Sequence, residues 1–297
     1  MQIHPHVLAA RIGFHTLFVN AIAWSAFTIL LASGCRPDVQ QVPAAKPGET
    51  VTALSTKEVP PLRELTVAAA SDLKFALDEI LAEFQKGQPD VHVKVSYGSS
   101  GNFFGQLSNK APFDLFFSAD IEYPRKLIGA GLAAKETEFQ YAIGHIVVWV
   151  PNDSKLDVER LGIETVTDPS VRKIAIANPK FAPYGRAAEA ALKKLGVYEQ
   201  VKERLVLGEN IAQTAQFVET GAADVGILAL SLAMAPAMRD KGRYWPVPQD
   251  AHPPLEQGGI ILSWAKDQEA ARQLRAFVMA DAGRAIFKKY GFALPGE

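Results

Sequence analysis

The chain has 297 residues, 48% of them hydrophobic, a globular composition long enough for two lobes of ordinary domain size. Its 31 basic and 32 acidic side chains leave a net charge of -1, which removes any bulk electrostatic reason to expect nucleic acid as a partner. One cysteine excludes an internal disulfide and a cysteine-built metal centre, and His4, His6, His15, His92, His145 and His252 show no metal-ligand spacing, so no metal site is expected.

From Ile12 through Cys35 there is no Asp, Glu, Lys or Arg; Arg11 precedes the run and Arg36-Pro37-Asp38 follows it. About 20 apolar residues would span a bilayer, yet this run closes in the small residues of "LLASGC". That ending predicts a cleaved export signal over residues 1–34. It resembles the lipobox of bacterial lipoproteins, with Cys35 as the lipidated first residue of the mature chain and Ala32 where the pattern favours Leu. The plainer alternative is an ordinary signal peptide or anchor with an incidental cysteine. Residues 35–62 then read as a flexible tether, with five prolines, scattered charges and no sustained apolar period.

The body follows as alternating strands and helices. "LTVAAA" (65–70) is a buried strand, and the next helix sets Leu73, Leu77, Ile80, Leu81 and Phe84 on one stripe before Gly87 stops it. "VHVKVSY" (91–97) and "FDLFFSA" (113–119) are the next strands, each followed by a helix. A second series begins at "HIVVWV" (145–150) and runs through "KIAIAN" (173–178), two helices and "ADVGILAL" (223–230). "GGIILSW" (258–264) is a late strand, and two helices close the chain. The alternation implies an α/β fold with largely parallel sheets.

Parallel sheets gather their useful turns at the carboxyl ends of the strands. Those turns here are Ala70-Ser71-Asp72, Gly98-Ser99-Ser100-Gly101, the segment from Pro179 to Gly185, and Gly208-Glu209-Asn210. A helix start exposes unpaired N–H groups and partial positive charge, so an oxyanion placed there gains charge-assisted hydrogen bonds without Lys or Arg. Each such bond contributes roughly 1.5–3 kcal/mol. Gly and Ser are also ordinary turn formers and caps, and one such turn alone decides nothing. Several of them in an exported two-lobed chain favour a bound anion.

Four stretches carry a family resemblance: "TVAAASDLKFALDEILAEF", "VSYGSSGNFFGQL", "APFDLFFSADIEYPRKLIGAGL" and "IANPKFAPYGRAAEAALKKLG". Together they resemble the periplasmic molybdate-binding component of molybdate ABC transporters, the ModA family, from about Leu65 to the C-terminus; Ala111 to Asp120 is the most specific block. The resemblance implies a type II periplasmic-binding fold, in which two α/β lobes joined by two crossing strands close over one tetrahedral oxyanion. It implies a contact from Ser71, or from Asp72 if that turn aligns without a gap, and a second from Ser100, with Ser99 as the one-residue alternative. Tyr184 supplies a third, its phenol a further donor, and the backbone at Ile211 a fourth. Ala229 falls where some members carry a tyrosine, a contact that Tyr184 is expected to replace. The crossing strands fall near residues 142–146 and 252–259, leaving lobe I as 63–143 plus 256–297 and lobe II as 144–255.

A carboxylate beside a dianion repels it, so Asp72 is expected to turn away and cap its helix. Facing the ligand, it would instead accept a proton from a protonated oxyanion such as phosphate. Lys74 and Lys110 are expected to be solvated. The implied function is a non-enzymatic, monomeric, lipid-anchored receptor of the periplasm or cell envelope. It needs no cofactor, captures molybdate and tungstate, and delivers them to an ABC permease in the inner membrane. Three rivals stand beside it: the same fold carrying sulfate or phosphate; a tethered hydrolase using Ser99 or Ser100; and an interaction protein whose turns are only caps. Against the hydrolase, there is no GxSxG elbow and no His following a plausible acid in the required order.

Overall fold

The computed structural model describes residues 62–297. The expected signal segment, Cys35 and nearly all of the tether lie outside the described residues. Among the described residues, no helix is long and apolar enough to cross a membrane.

The first lobe begins with β1 (Arg63–Ala70), whose inner half is buried, and α1 (Lys74–Gly87), which buries Leu77, Ile80, Leu81 and Phe84 on its apolar stripe. β2 (Val91–Gly98), α2 (Ser100–Ser108), β3 (Leu115–Ser118), α3 (Glu122–Gly129) and β4 (Phe139–Gly144) complete its first pass. After His145 the chain enters the second lobe at β5 (Ile146–Pro151) and continues through α4 (Val158–Leu161), β6 (Ile174–Ala177), α5 (Pro183–Lys194) and α6 (Tyr198–Val201). β7 (Leu205–Gly208), α7 (Ile211–Glu219), β8 (Val225–Ala229), α8 (Leu230–Ala233) and β9 (Gly242–Pro246) follow. Residues 247–254 lead back to the first lobe, which receives β10 (Leu255–Ile261), α9 (Gln268–Met279) and α10 (Asp281–Lys289).

Each lobe is built on one five-stranded sheet, in the orders β2-β1-β3-β10-β4 and β7-β6-β8-β5-β9. β1 runs parallel to β2 and β3, and β6 runs parallel to β7 and β8, as crossover helices between them require. The other pairings correct the expectation of largely parallel sheets. β10 is antiparallel to β3 and β4, and β5 is antiparallel to β8 and β9. The reason lies in the connections: β5 and β10 are the first strands laid down after each passage between sheets, and no crossover helix turns them round. β7 and β9 were not expected as strands. Both lie at sheet edges, where partial burial (Leu207 is 49% exposed) erases the apolar run that marks a central strand.

The lobe I sheet is covered on both faces. One core joins Leu77, Phe117, Tyr141, Leu274 and Phe287 under α1, α9 and α10; the other joins Phe103, Leu107, Phe116 and Leu127 under α2 and α3. Lobe II has its own core around Val148, Trp149, Ile176, Ala188 and Ile227, and that core also reaches Ala70 and Ala119 at the strand ends of lobe I. The ends of β1 and β2 and the starts of α5 and α7 therefore meet across the boundary between the lobes.

Candidate functional site

All six residues singled out from the sequence, Ser71, Asp72, Ser99, Ser100, Tyr184 and Ile211, line one small cavity between the lobes. None is more than 4% exposed. The cavity has a volume of about 10 Å³, roughly what one water requires. Among the described residues, no Lys or Arg side chain lines it.

The serines behave differently from one another. Ser99 occupies the N-cap position of α2 but makes no side-chain cap, and its buried hydroxyl has no hydrogen-bond partner among the described residues. The ordinary capping role expected of a serine in such a turn is thus not the one it takes. Ser100 Oγ accepts the Ala119 N–H at 2.9 Å, which orients the hydroxyl and leaves its proton free. Ser71 Oγ donates to Asn210 Oδ1 at 3.1 Å and accepts the Ala212 N–H at 3.3 Å, reaching from lobe I to the start of α7. Asn210 is the N-cap of α7 and accepts from Ala212 and Gln213, both at 3.0 Å. The Ile211 N–H, at the first helical position, has no acceptor within its own helix.

Asp72 departs from expectation. Its side chain makes no helix cap; Oδ2 accepts the Tyr184 phenol at 3.0 Å and Gln257 Nε2 at 2.6 Å, while Oδ1 is buried without a partner. Packing is the reason. The short 3-10 turn Ser71–Leu73 is fully buried, and Tyr184 and Gln257 offer the carboxylate the donors that a solvent-facing cap would have supplied. The Tyr184 phenol is correspondingly directed to Asp72, with Gln257 Nε2 donating to it at 3.0 Å, so its one proton is engaged. Gln257 Oε1 lies 3.0 Å from the Tyr141 hydroxyl, which also reaches the Ser118 carbonyl at 3.0 Å. Ser231 Oγ donates to the Asp72 carbonyl at 2.8 Å. A Cβ on Gly144 would stand 2.3 Å from the Tyr184 hydroxyl, so only glycine leaves room for this network at the first crossing. Burial pushes the Asp72 carboxyl up to about 6 despite its two donors, and burial likewise raises the Tyr184 and Tyr141 phenols.

Gln257, Tyr141, Asn210 and Ser231 were not among the expected contacts. The available signal was a lone amide inside the apolar stretch "LEQGGII", where a fully buried Gln257 has to be hydrogen-bonded. Ala229 closes β8 in the core and does not line the cavity.

At the rim, Arg186 of lobe II holds Asp120 of lobe I at 2.5 Å and the Tyr123 hydroxyl at 3.1 Å. The Gly101 N–H donates to the Phe181 carbonyl at 2.9 Å, another bond from lobe to lobe. A larger cavity of about 320 Å³ adjoins, sharing Ala119 and Pro183 with the small one. Asp120, Glu122 and Glu256 outnumber the already paired Arg186 on its walls, which makes it the poorer place for an anion. Neither His145, which contacts Gln249, nor His252, which contacts the Pro253 carbonyl, is hydrogen-bonded to a serine.

The buried carboxyl makes a stability prediction. The folded value of Asp72, about 6, lies above the ordinary 3.8, so the folded chain holds this proton more tightly than the unfolded chain. The associated stability is full below about pH 3.8 and is lost as pH rises through about 6. Asp72→Asn keeps a carbonyl acceptor and carries no charge. Thermal melts without added oxyanion should find the variant more stable than the parent near pH 8, by on the order of 1–3 kcal/mol, and nearly equal near pH 4. Destabilisation at pH 8 would show that the charge is better accommodated than its surroundings imply.

Comparison with known proteins places the chain in a family. The family of bacterial extracellular solute-binding proteins matches residues 65–293. The molybdate-binding protein ModA of Azotobacter vinelandii is 36% identical over 233 residues, covering 78% of this chain and 90% of that one. ModA of Rhodobacter capsulatus is 34% identical, covering 77% and 88%. The solved structure of the Azotobacter vinelandii periplasmic molybdate-binding protein superposes with a TM-score of 0.73 at 32% identity, over 78% of this chain and 99% of that one. Two lobes, each an α/β layer on a mixed sheet, are the type II periplasmic-binding arrangement. The chain belongs to the bacterial extracellular solute-binding protein family and, within it, to the ModA proteins.

Proposed function

We propose that this protein is the extracytoplasmic solute-binding component of an ABC importer, that it captures molybdate or tungstate between its lobes, and that it delivers the ion to a permease in the inner membrane. The observation that carries this reading is the cation-free cavity lined by all six candidate residues, drawn from βα turns of both lobes. Ser99 and Ser100 offer hydroxyl protons, the first turn of α7 offers an N–H, and Ser71 lies between. Such a donor set suits a tetrahedral dianion. Because the cavity is small and its lining residues are almost inaccessible to solvent, admission requires the lobes to part at 144–145 and 247–254, and capture is the return motion. The rigid halves are then 63–143 plus 255–297 and 146–246. The remaining parts of the reading are a lipid anchor at Cys35, a monomer tethered at the membrane, no cofactor and no catalysis.

Calorimetric titration of the full chain with molybdate, sulfate and phosphate tests the cargo. Molybdate should bind the tightest of the three; molybdate binding no tighter than sulfate binding would overturn the assignment. At about 100 times its dissociation constant, the ion should add ~2.7 kcal/mol of stability in a melt.

Two variants test the site. Ser99→Ala removes a donor that makes no bond within the protein, so affinity should fall about tenfold or more while the melting temperature without ligand holds or rises. In Gly101→Ala the new Cβ would stand 2.6 Å from the Phe181 carbonyl across the cleft. It should weaken affinity by propping the lobes apart, with little change in the far-ultraviolet circular dichroism. Unchanged affinity in both variants would place the anion elsewhere.

A further inference from the structure

Asp72 is 1% exposed and lines the cavity together with Ser99, whose hydroxyl also lacks a partner. Its two oxygens are unequal: Oδ2 is saturated by Tyr184 and Gln257, whereas Oδ1 is buried and bonded to nothing. The titratable and polar groups around it are Tyr184 from α5, Tyr141 from β4, Gln257 from β10 and Ser231 from α8. None of these is a cation. Lys74, two residues further along the chain, is turned to Asp78 and the Tyr97 ring. An ionised Asp72 beside a dianion would therefore confine three negative charges with no counter-charge, in a place where water cannot screen them.

We infer that the site takes up one proton with each anion, and that this proton lies between Asp72 Oδ1 and an oxygen of the bound ion. The inference rests on the oxyanion reading above and sharpens its ligand class to a tetrahedral dianion plus a proton, or equivalently the monohydrogen ion. The proton comes from solvent, since burial leaves the carboxyl near 6 and hence mostly ionised above neutrality. No bond to the central atom of the ion forms or breaks. Oδ2 keeps both of its donors, because the proton goes to the other oxygen. The orphaned Oδ1 thereby changes from a source of repulsion into a hydrogen-bond donor aimed at the ligand.

The test is calorimetric titration of the full chain with sodium molybdate, and separately with sodium sulfate, from about pH 6 to about pH 9 in paired buffers of different ionisation enthalpy. Both ions remain doubly charged across that range, so a pH slope belongs to the protein. Affinity should fall by up to about tenfold per pH unit above about 6, with close to one proton taken up per ion near pH 8. Asp72→Asn should lose both the slope and the uptake. Tight binding with flat affinity and no proton uptake overturns the inference alone, and a slope that persists in Asp72→Asn overturns its assignment to this residue. If the variant fails to fold, the proton count of the parent protein decides. No binding of either ion at any pH overturns the oxyanion reading and this inference with it.

Discussion

The hydrogen bond from Tyr184 to Asp72 joins the two lobes at the wall of the cavity, and much of the arrangement follows from it. It sets the first turn of lobe I against the first turn of α5, and Gln257, on the strand returning from lobe II, braces both partners. Its geometry depends on the bare backbone of Gly144 at the other crossing. Both crossings thus contribute to one buried cluster. The joint between the lobes runs through a carboxylate that has little water near it.

The cavity obtains its electrostatics from the backbone and from hydroxyls. A lysine or arginine in so small a space would need a permanent counter-charge of its own, or would carry a large desolvation cost. Helix starts avoid that problem because their dipoles are fixed and their N–H groups are unpaired in any case. The guanidinium of Arg186 near the rim is neutralised by Asp120 and leaves the interior to neutral donors. The same economy gives the interior no means of balancing an acidic group, which is why the state of Asp72 matters to anything negative that is captured there.

How much of this was legible in the sequence depended on the kind of information required. The helix stripe of α1 and the buried strand "LTVAAA" were plain because their periods are local. The turns between strands and helices were legible because they gather at one sheet edge, but it was the family resemblance that picked the six cavity residues out of and beside them. Strand direction was not legible: whether β10 runs with or against β3 depends on where the chain re-enters the sheet, and no local pattern encodes that. The edge strands β7 and β9 lacked a full apolar run for the same reason that they are edges. The orientation of Asp72 was misread because capping is judged from neighbours in sequence, whereas Tyr184 and Gln257 lie 112 and 185 positions away.

The closeness of the walls has a further consequence. A chamber of about 10 Å³ has to widen before it can receive even a bare tetrahedral ion. An organic substituent on such an ion would have to leave past Ala119 and Pro183, the residues that the small cavity shares with its larger neighbour. It would then lie beside Asp120, Glu122 and Glu256, whose carboxylates repel a second negative group.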